Sequence, residues 1–353
     1  SADEADVHFF DLESPVDARR LDAPMRTLGA LEGLIIIEEI QRKPELFEIL
    51  RVLVDRPDAK SRFLILGSAS PTLVKGVSES LAGRIGFVDL GGFDLSETGV
   101  ESQNRLWSRG GFPRSFLALD DMASFQWLQG FVRTFLERDI PQLGINIPAE
   151  TLRRFWTMIA HYHGQIWNAA EFARALGSSE ATARRYLDIL AGAYMVRILP
   201  PWFENLSKRQ VKAPKIYIRD TGVMHALLEL ETSDDLLAHP KLGASWEGFA
   251  LEQVLAAFGQ RNAWFWATHG GAELDLLLTV RGKAYGFECK VSDAPGSTRS
   301  MRAALQDLGL EHLWVLYPGT EAYPLDDRLS VLPLREIVEL PGRMAGANHG
   351  SRQ

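Results

Sequence analysis

The stretch "LIIIEEIQR", Leu34–Arg42, sets four apolar residues directly against two adjacent carboxylates. A short run rich in β-branched residues reads as a buried strand. Strands covered on both faces are apolar without alternation, which is the habit of parallel sheets. Such a strand points its C-terminal end at the ligand crevice of an open α/β sheet. Two acids there are costly unless a positive group or ion faces them. A plainer reading also stands: the strand runs into a helix, whose first turn favours acids through its dipole.

The flanking sequence repeats the theme. "VHFFDL" (7–12) reads as a short strand. "PELFEILRVLVDRP" (44–57) has apolar positions at helical spacing between two prolines. "RFLILGSAS" (62–70) is another buried strand ending in small residues, and "IGFVDLGGF" (85–93) a further one. Strands alternating with helices predict an α/β fold with a parallel sheet covered on both faces. With 353 residues the chain has room for two or three domains. No apolar run approaches the ~18–20 residues of a membrane span. A single cysteine, Cys289, excludes an internal disulfide framework. The expectation is a cytoplasmic chain with no membrane partner. The net charge of −8 argues against an all-over basic surface, while leaving a local patch for DNA open.

From about Phe125 to Ala193 the pattern is helical. "NAAEFARALGSSEATARRYLDILAGAYMV" (168–196) has the form helix, Gly-containing turn, helix. Ala170, Phe172, Ala173 and Leu176 are the expected inner face of its first helix, and Ala183, Tyr186, Leu187 and Leu190 that of the second. Ser178 or Ser179 is the expected N-cap. In a DNA reader the second helix would offer Arg184 and Arg185 to the groove. The strands at 195–218 would form a wing, with Lys208 and Arg209 at its tip. A purely structural winged-helix module is the competing reading. His161 and His163 read as surface or core histidines, having no third metal ligand nearby.

The C-terminal stretch "GGAELDLLLTVRGKAYGFECKVS" (270–292) reads as two strands around Arg281–Gly282. A two-residue loop sets Val280 opposite Lys283. Counting back places Asp275 opposite Glu288, and Glu273 opposite Lys290. Glu273, Asp275, Glu288 and Lys290 then share one face, and Leu274, Leu276, Leu278, Phe287 and Cys289 the core side. Opposed acids are destabilising without a counter-ion, which a divalent metal would supply. A solvated polar face with a Glu273–Lys290 ion pair is the competing reading.

Two resemblances extend these readings. The apolar strand ending in two acids resembles the Walker B element of nucleotide triphosphatases, with Glu38 on the magnesium ion and Glu39 polarising water. The succession "IIIEEIQRKPELFEILRVLVD", "RFLILGSAS" and "SESLAGRIGFVDLGGFDLSE" resembles a prokaryotic AAA+-type ATPase family, over nearly the whole chain. The resemblance implies ATP and Mg2+ as ligands, Ser68 as the polar sensor of the γ-phosphate, and Arg84 as a phosphate-sensing arginine or a solvated helix-end residue. Two departures stand out. The family usually has Asp where this chain has Glu38. The phosphate loop G-x-x-x-x-G-K-[ST] is expected upstream of "VHFFDL", and no Gly-Lys-Ser/Thr occurs in the 353 residues. Truncation and divergence both account for that.

The arrangement of Asp275, Glu288 and Lys290 resembles the PD-(D/E)XK nuclease fold, with Glu247 at the place of its helix acid. That resemblance implies Glu247, Asp275 and Glu288 as ligands of Mg2+ or Mn2+, with Lys290 orienting or activating water. The expected organisation is a truncated ATPase core over 1–122, a helical and winged-helix region over 123–235, a nuclease-like domain over 236–340, and a disordered tail over 341–353. The expected function is ATPase-family action on or binding to DNA, with a metal-dependent nuclease-like domain. The alternative is a regulatory or scaffolding ATPase whose C-terminal domain only binds. A protein partner and oligomerisation are left open.

Overall fold

A computed structural model describes residues 6–67, 81–203 and 211–347. Ser68, Lys208 and Arg209 lie outside the described residues. The chain divides into two compact units, residues 1–90 with 192–194, and residues 91–191 with 195–353. The fold is α/β.

In the first unit, strands β1 (Val7–Asp11), β2 (Gly33–Glu38) and β3 (Ser61–Ile65) form a parallel sheet in that order. The β-branched run of β2 makes it the centre, with Phe10 beside Ile37 and Ile37 beside Ile65. Helix α1 (Leu46–Val54) buries Leu46, Phe47, Leu50 and Leu53 against Phe10, Ile35 and Ile37. Among the described residues this is the closely packed face. Phe9 and Leu64, which flank Ile36 on alternate positions, are exposed, against the expectation of cover on both sides. The expected strand over 85–93 is also not formed. Residues 85–90 run without regular secondary structure, and Val88 and Leu90 are 91% and 94% exposed. Among the described residues no strand lies beside the segment to offer it a ladder.

The second unit begins with helices. Helix α2 (Asp121–Thr134) runs into a π-helical turn at Phe135–Asp139, and α3 (Ala149–Tyr162) follows. After β4 (Gln165–Ile166) come α4 (Ala169–Leu176) and α5 (Glu180–Gly192), separated by Gly177 at φ 63°. That left-handed C-cap is where glycine belongs. Ser179 caps α5 through its hydroxyl on the Thr182 amide, 3.1 Å. Ala183, Leu187 and Leu190 are buried, and Tyr186 packs edge-on against Phe155. On α4 the inner residues are Ala169, Phe172 and Ala173; the helix is rotated slightly from the expected face, so Ala170 and Leu176 lie at its margin. Strands β5 (Val196–Leu199) and β6 (Lys215–Ile218) close an antiparallel sheet in the order β4-β6-β5.

Helix α6 (Thr221–Leu227) is capped by Asp220, whose carboxyl accepts from the Val223 and Gly111 amides at 2.9 and 2.7 Å. The C-terminal part holds α7 (Leu242–Phe258), β7 (Ala263–Ala267), β8 (Glu273–Val280), β9 (Lys283–Cys289), α8 (Arg299–Asp307), β10 (His312–Tyr317), β11 (Tyr323–Asp326), β12 (Leu329–Pro333) and α9 (Leu340–Ala347). Its sheet runs β11-β12-β10-β9-β8-β7. On one side Trp246, Phe249 and Val254 of α7 meet Leu276, Leu278 and Phe287. On the other, Met301 and Ala304 of α8 meet Leu274, Leu277 and Leu313. Helix α9 carries the chain seven residues into the expected disordered tail, and Arg343 pairs with Glu336 at 2.9 Å.

Strand β8 carries a bulge. Trp264 stands opposite Leu277 and Trp266 opposite Leu274, so Asp275 and Leu276 together face Phe265. The extra residue moves Leu274 to the α8 side, whereas strict alternation had placed it with Leu276. After β5 the chain joins the outer edge of β7: the Trp202 amide donates to the Phe265 carbonyl at 2.7 Å, and the Phe265 amide to that of Pro200 at 3.1 Å. The β4-β6-β5 sheet thereby continues into the edge of the larger one.

Candidate functional site

The loop Arg281–Gly282 has φ of 51° and 78°, the two positive values a tight primed hairpin requires. Val280 faces Lys283, and the ladder runs to Leu276 opposite Phe287 as counting predicts. There it ends, and the expected pairing of Asp275 with Glu288 is not made. The bulge re-aims Asp275, whose Oδ2 accepts the Cys289 amide at 2.9 Å. Glu288 pairs with Lys290, Oε1 to Nζ 2.7 Å, and its buried Oε2 has no hydrogen-bond partner. The expected Glu273–Lys290 pair is replaced: Glu273 takes Lys215 instead.

Lys215 is the residue that sequence reading missed. Its side chain is 3% exposed. The ammonium bonds Glu273, donates to Glu247 Oε1 at 3.1 Å, and lies 3.5 Å from Asp275 Oδ1. It also stands 5.7 Å from the centre of the Phe265 ring. Tyr217, two residues along β6 and therefore on the same side of the strand, donates its phenol to the same Glu247 oxygen at 2.6 Å. Burial pulls the Lys215 ammonium toward the neutral form, but Glu247, Tyr217, Asp275 and Glu273 outweigh it and hold its pKa well above the usual value. Burial and the charge of Asp275 push Glu247 up to about 6, against the opposing pull of Lys215. Burial, then Asp275, push Glu288 up to about 8, with Lys290 opposing.

These donors do not fit a divalent ion as they stand. Glu247 Oε1 already accepts from an ammonium and a phenol, Asp275 Oδ2 from a backbone amide with Oδ1 toward the same ammonium, and Glu288 Oε1 is paired with Lys290. Among the described residues no three His, Cys, Asp or Glu side chains converge as a metal site.

In the first unit Glu38 ends β2 beside Asp11 of β1. Glu39 follows in the left-handed region, φ 55° and ψ 41°, and its carboxylate accepts the Gln41 side-chain amide. Asp11, Glu38 and Glu39 thus collect at the C-terminal edge of the parallel sheet, and Asp11 was not anticipated. Arg84 does not join them. It pairs with Asp55 at 2.6 Å, beyond the end of α1; α1 returns the chain from the C-terminal end of β2 to the start of β3, so Asp55 sits at the opposite edge. Arg184 and Arg185 are both exposed on α5. His161 is exposed, while His163 is buried and accepts the Ile218 amide at 2.9 Å, as a core histidine does.

Comparison with known proteins supplies the family. A model described as an AAA domain matches residues 2–99. Two models described as domains of unknown function, DUF8612 and DUF4143, match residues 100–234 and 242–337. The chain is 53% identical over 329 residues to "Uncharacterized protein Rv2008c" of Mycobacterium tuberculosis and to "Uncharacterized protein Mb2031c" of Mycobacterium bovis, covering 93% of this chain and 75% of each relative. A crystal structure of protein VC1899 from Vibrio cholerae aligns over 97% of both chains at 13% identity, with a TM-score of 0.19, too low to carry an argument. The AAA assignment makes ATP and Mg2+ ligands at the level of the family. Among the described residues no helix is long and apolar enough to cross a membrane. The chain belongs to the family of these two mycobacterial proteins, with an AAA domain of the ATPase class over its first hundred residues.

Proposed function

We propose that this protein is an ATPase-family regulator whose helix-turn-helix module and nuclease-like C-terminal domain bind DNA without cutting it. The observation that carries the reading is the engagement of Glu247, Glu273 and Asp275 by Lys215. A metal-dependent nuclease needs its carboxylates free to share an ion with the scissile phosphate; these share an ammonium. The exposed Arg184 and Arg185 on the second helix of a winged-helix-like module support the DNA-binding part. In the ATPase part, Glu38 and Asp11 would serve the magnesium side and Glu39 the attacking water. When bound, magnesium would neutralise charge on the nucleotide phosphates.

A second reading is metal-dependent DNA cleavage. The observation favouring it is the Glu288–Lys290 pair, 2.7 Å apart, with a buried carboxylate oxygen left unpartnered. One experiment separates the two. The 353-residue protein is incubated with labelled duplex and single-stranded DNA, with Mg2+ or Mn2+, and both retention and cleavage are followed. Binding without cleavage is the expected result. Metal-dependent cleavage that disappears in Lys290→Ala establishes the second reading, and absence of binding removes the first.

A further inference from the structure

The geometry points to Lys215 as the built-in cation of a latent divalent-metal site, occupying by its ammonium the place among Glu247, Glu273 and Asp275 that an Mn2+ ion takes once that charge is removed. The inference deepens the reading of the C-terminal domain as non-cutting and rests on it.

Three carboxylates from two elements, α7 and β8, face one ammonium delivered by β6, a strand of a different sheet. Each component is positioned independently. The bulge in β8 aims Asp275, with the Cys289 amide fixing one oxygen and leaving the other toward Lys215. Glu247 projects from α7, which is anchored on either side by buried Trp246 and Gly248. Tyr217 fixes Glu247 from β6 itself. The ammonium is a compact, strongly hydrated ion. It has been stripped of water here and given oxygen neighbours on several sides. That is the coordination problem an oxygen-liganded divalent cation poses as well. Three negative charges against one positive also leave the cluster under-neutralised, and Glu288 adds a buried oxygen without a partner, its side chain 7% exposed. A single positive charge is therefore what stands between these carboxylates and a stronger cation.

The test compares wild type, Asp275→Asn, Lys215→Met and Lys215→Met/Asp275→Asn as full 353-residue chains. Mn2+ binding is followed by electron paramagnetic resonance, and thermal stability is measured over an Mn2+ series. Wild type is expected to take up no Mn2+ that depends on Asp275. Lys215→Met is expected to bind an additional ion and to gain stability with Mn2+ as RT ln(1 + [L]/Kd). The double variant is expected to lose both effects. Should Lys215→Met alone fail to fold, Lys215→Met/Glu273→Gln removes one repelling carboxylate and gives the same readouts. Asp275-dependent Mn2+ binding by wild type overturns the proposal, as does a folded Lys215→Met variant with no extra ion. DNA cleavage by wild type overturns the reading of the domain as non-cutting, while Mn2+ binding decides the role of Lys215 separately.

Discussion

The phenol of Tyr217 and the ammonium of Lys215, one turn of the pleat apart on the same strand, donate to the same oxygen of Glu247, at 2.6 and 3.1 Å. A carboxylate so held is a half-buried ion with its charge answered from a single strand. Tyr217→Phe keeps the ring and removes one donor. It should cost about 1.5–3 kcal/mol, the range for hydrogen bonds to charged groups. Chemical denaturation of the two proteins measures it, and an unchanged midpoint would mean that Lys215 alone suffices.

Glu288 sets a pH dependence. Its pKa is raised to about 8 from 4.5, by burial first and then by Asp275. Between those values the unfolded chain releases the proton and the folded chain keeps it. The folded state thus binds more protons, and this group's contribution falls as pH rises through the window. Glu288→Gln should therefore gain melting temperature relative to wild type progressively from pH 5 to pH 8. A gain that is larger at pH 5 would show the sign to be wrong.

Buried histidines act at the acid end. Burial lowers His163 to about 3 and His225 to about 4. His225 is held by the Ser108 carbonyl and the Ser245 hydroxyl at 2.9 and 2.7 Å. Below about pH 6.5 the unfolded chain takes up protons that the folded chain refuses, so stability is lost as pH falls from there toward 4. His225→Asn should lower stability at neutral pH, since the packing and bonds change, yet flatten this acid slope in a melting series from pH 7 to 4.5.

The exposed arginines of α5 give a salt signature. Protein–DNA affinity falls with log salt by roughly 0.9 per phosphate contacted on duplex DNA. Replacing Arg184 and Arg185 together by Ala should weaken binding and reduce that slope by up to about two. Fluorescence anisotropy between 50 and 200 mM salt reads both. An unaltered slope would assign α5 a structural role only.

ATP turnover gives an expectation tied to sequence. The 353-residue chain contains no Gly-Lys-Ser/Thr, so steady-state phosphate release should stay at background. A longer form carrying a phosphate loop should turn over ATP, and Glu39→Gln should reduce the rate by ~10²–10⁴, the range for a positioned general base. Background-subtracted release from the 353-residue chain that vanishes in Glu39→Gln would refute the expectation.

The parts legible in sequence were those set by local rules. A β-branched run gave the central strand β2, and Arg281–Gly282 with its two positive φ values fixed the register of β8 on β9. The turn chemistry of "GSS" narrowed the N-cap to Ser178 or Ser179, and Ser179 takes it. Lys215 was not legible, because it meets Glu247 from 32 residues away and from another sheet. Its one local sign is a lysine opening the apolar strand "KIYI", a place from which a cation must either leave or be paired. The strand expected at 85–93 failed for a related reason: strand propensity is realised only where a neighbour offers a ladder, and the described structure gives that segment none.

The bulge at Asp275–Leu276 behaves as a phase shift in the strand's alternation. On one side of it Leu274 belongs to the α8 core; on the other Leu276 belongs to the α7 core. The offset is one residue long: two residues of β8 stand against one of β7. Deleting Asp275 would make the ladder regular and leave Leu274 and Leu276 as neighbours on opposite faces, so both cores keep their phase and only the acid facing Lys215 is lost.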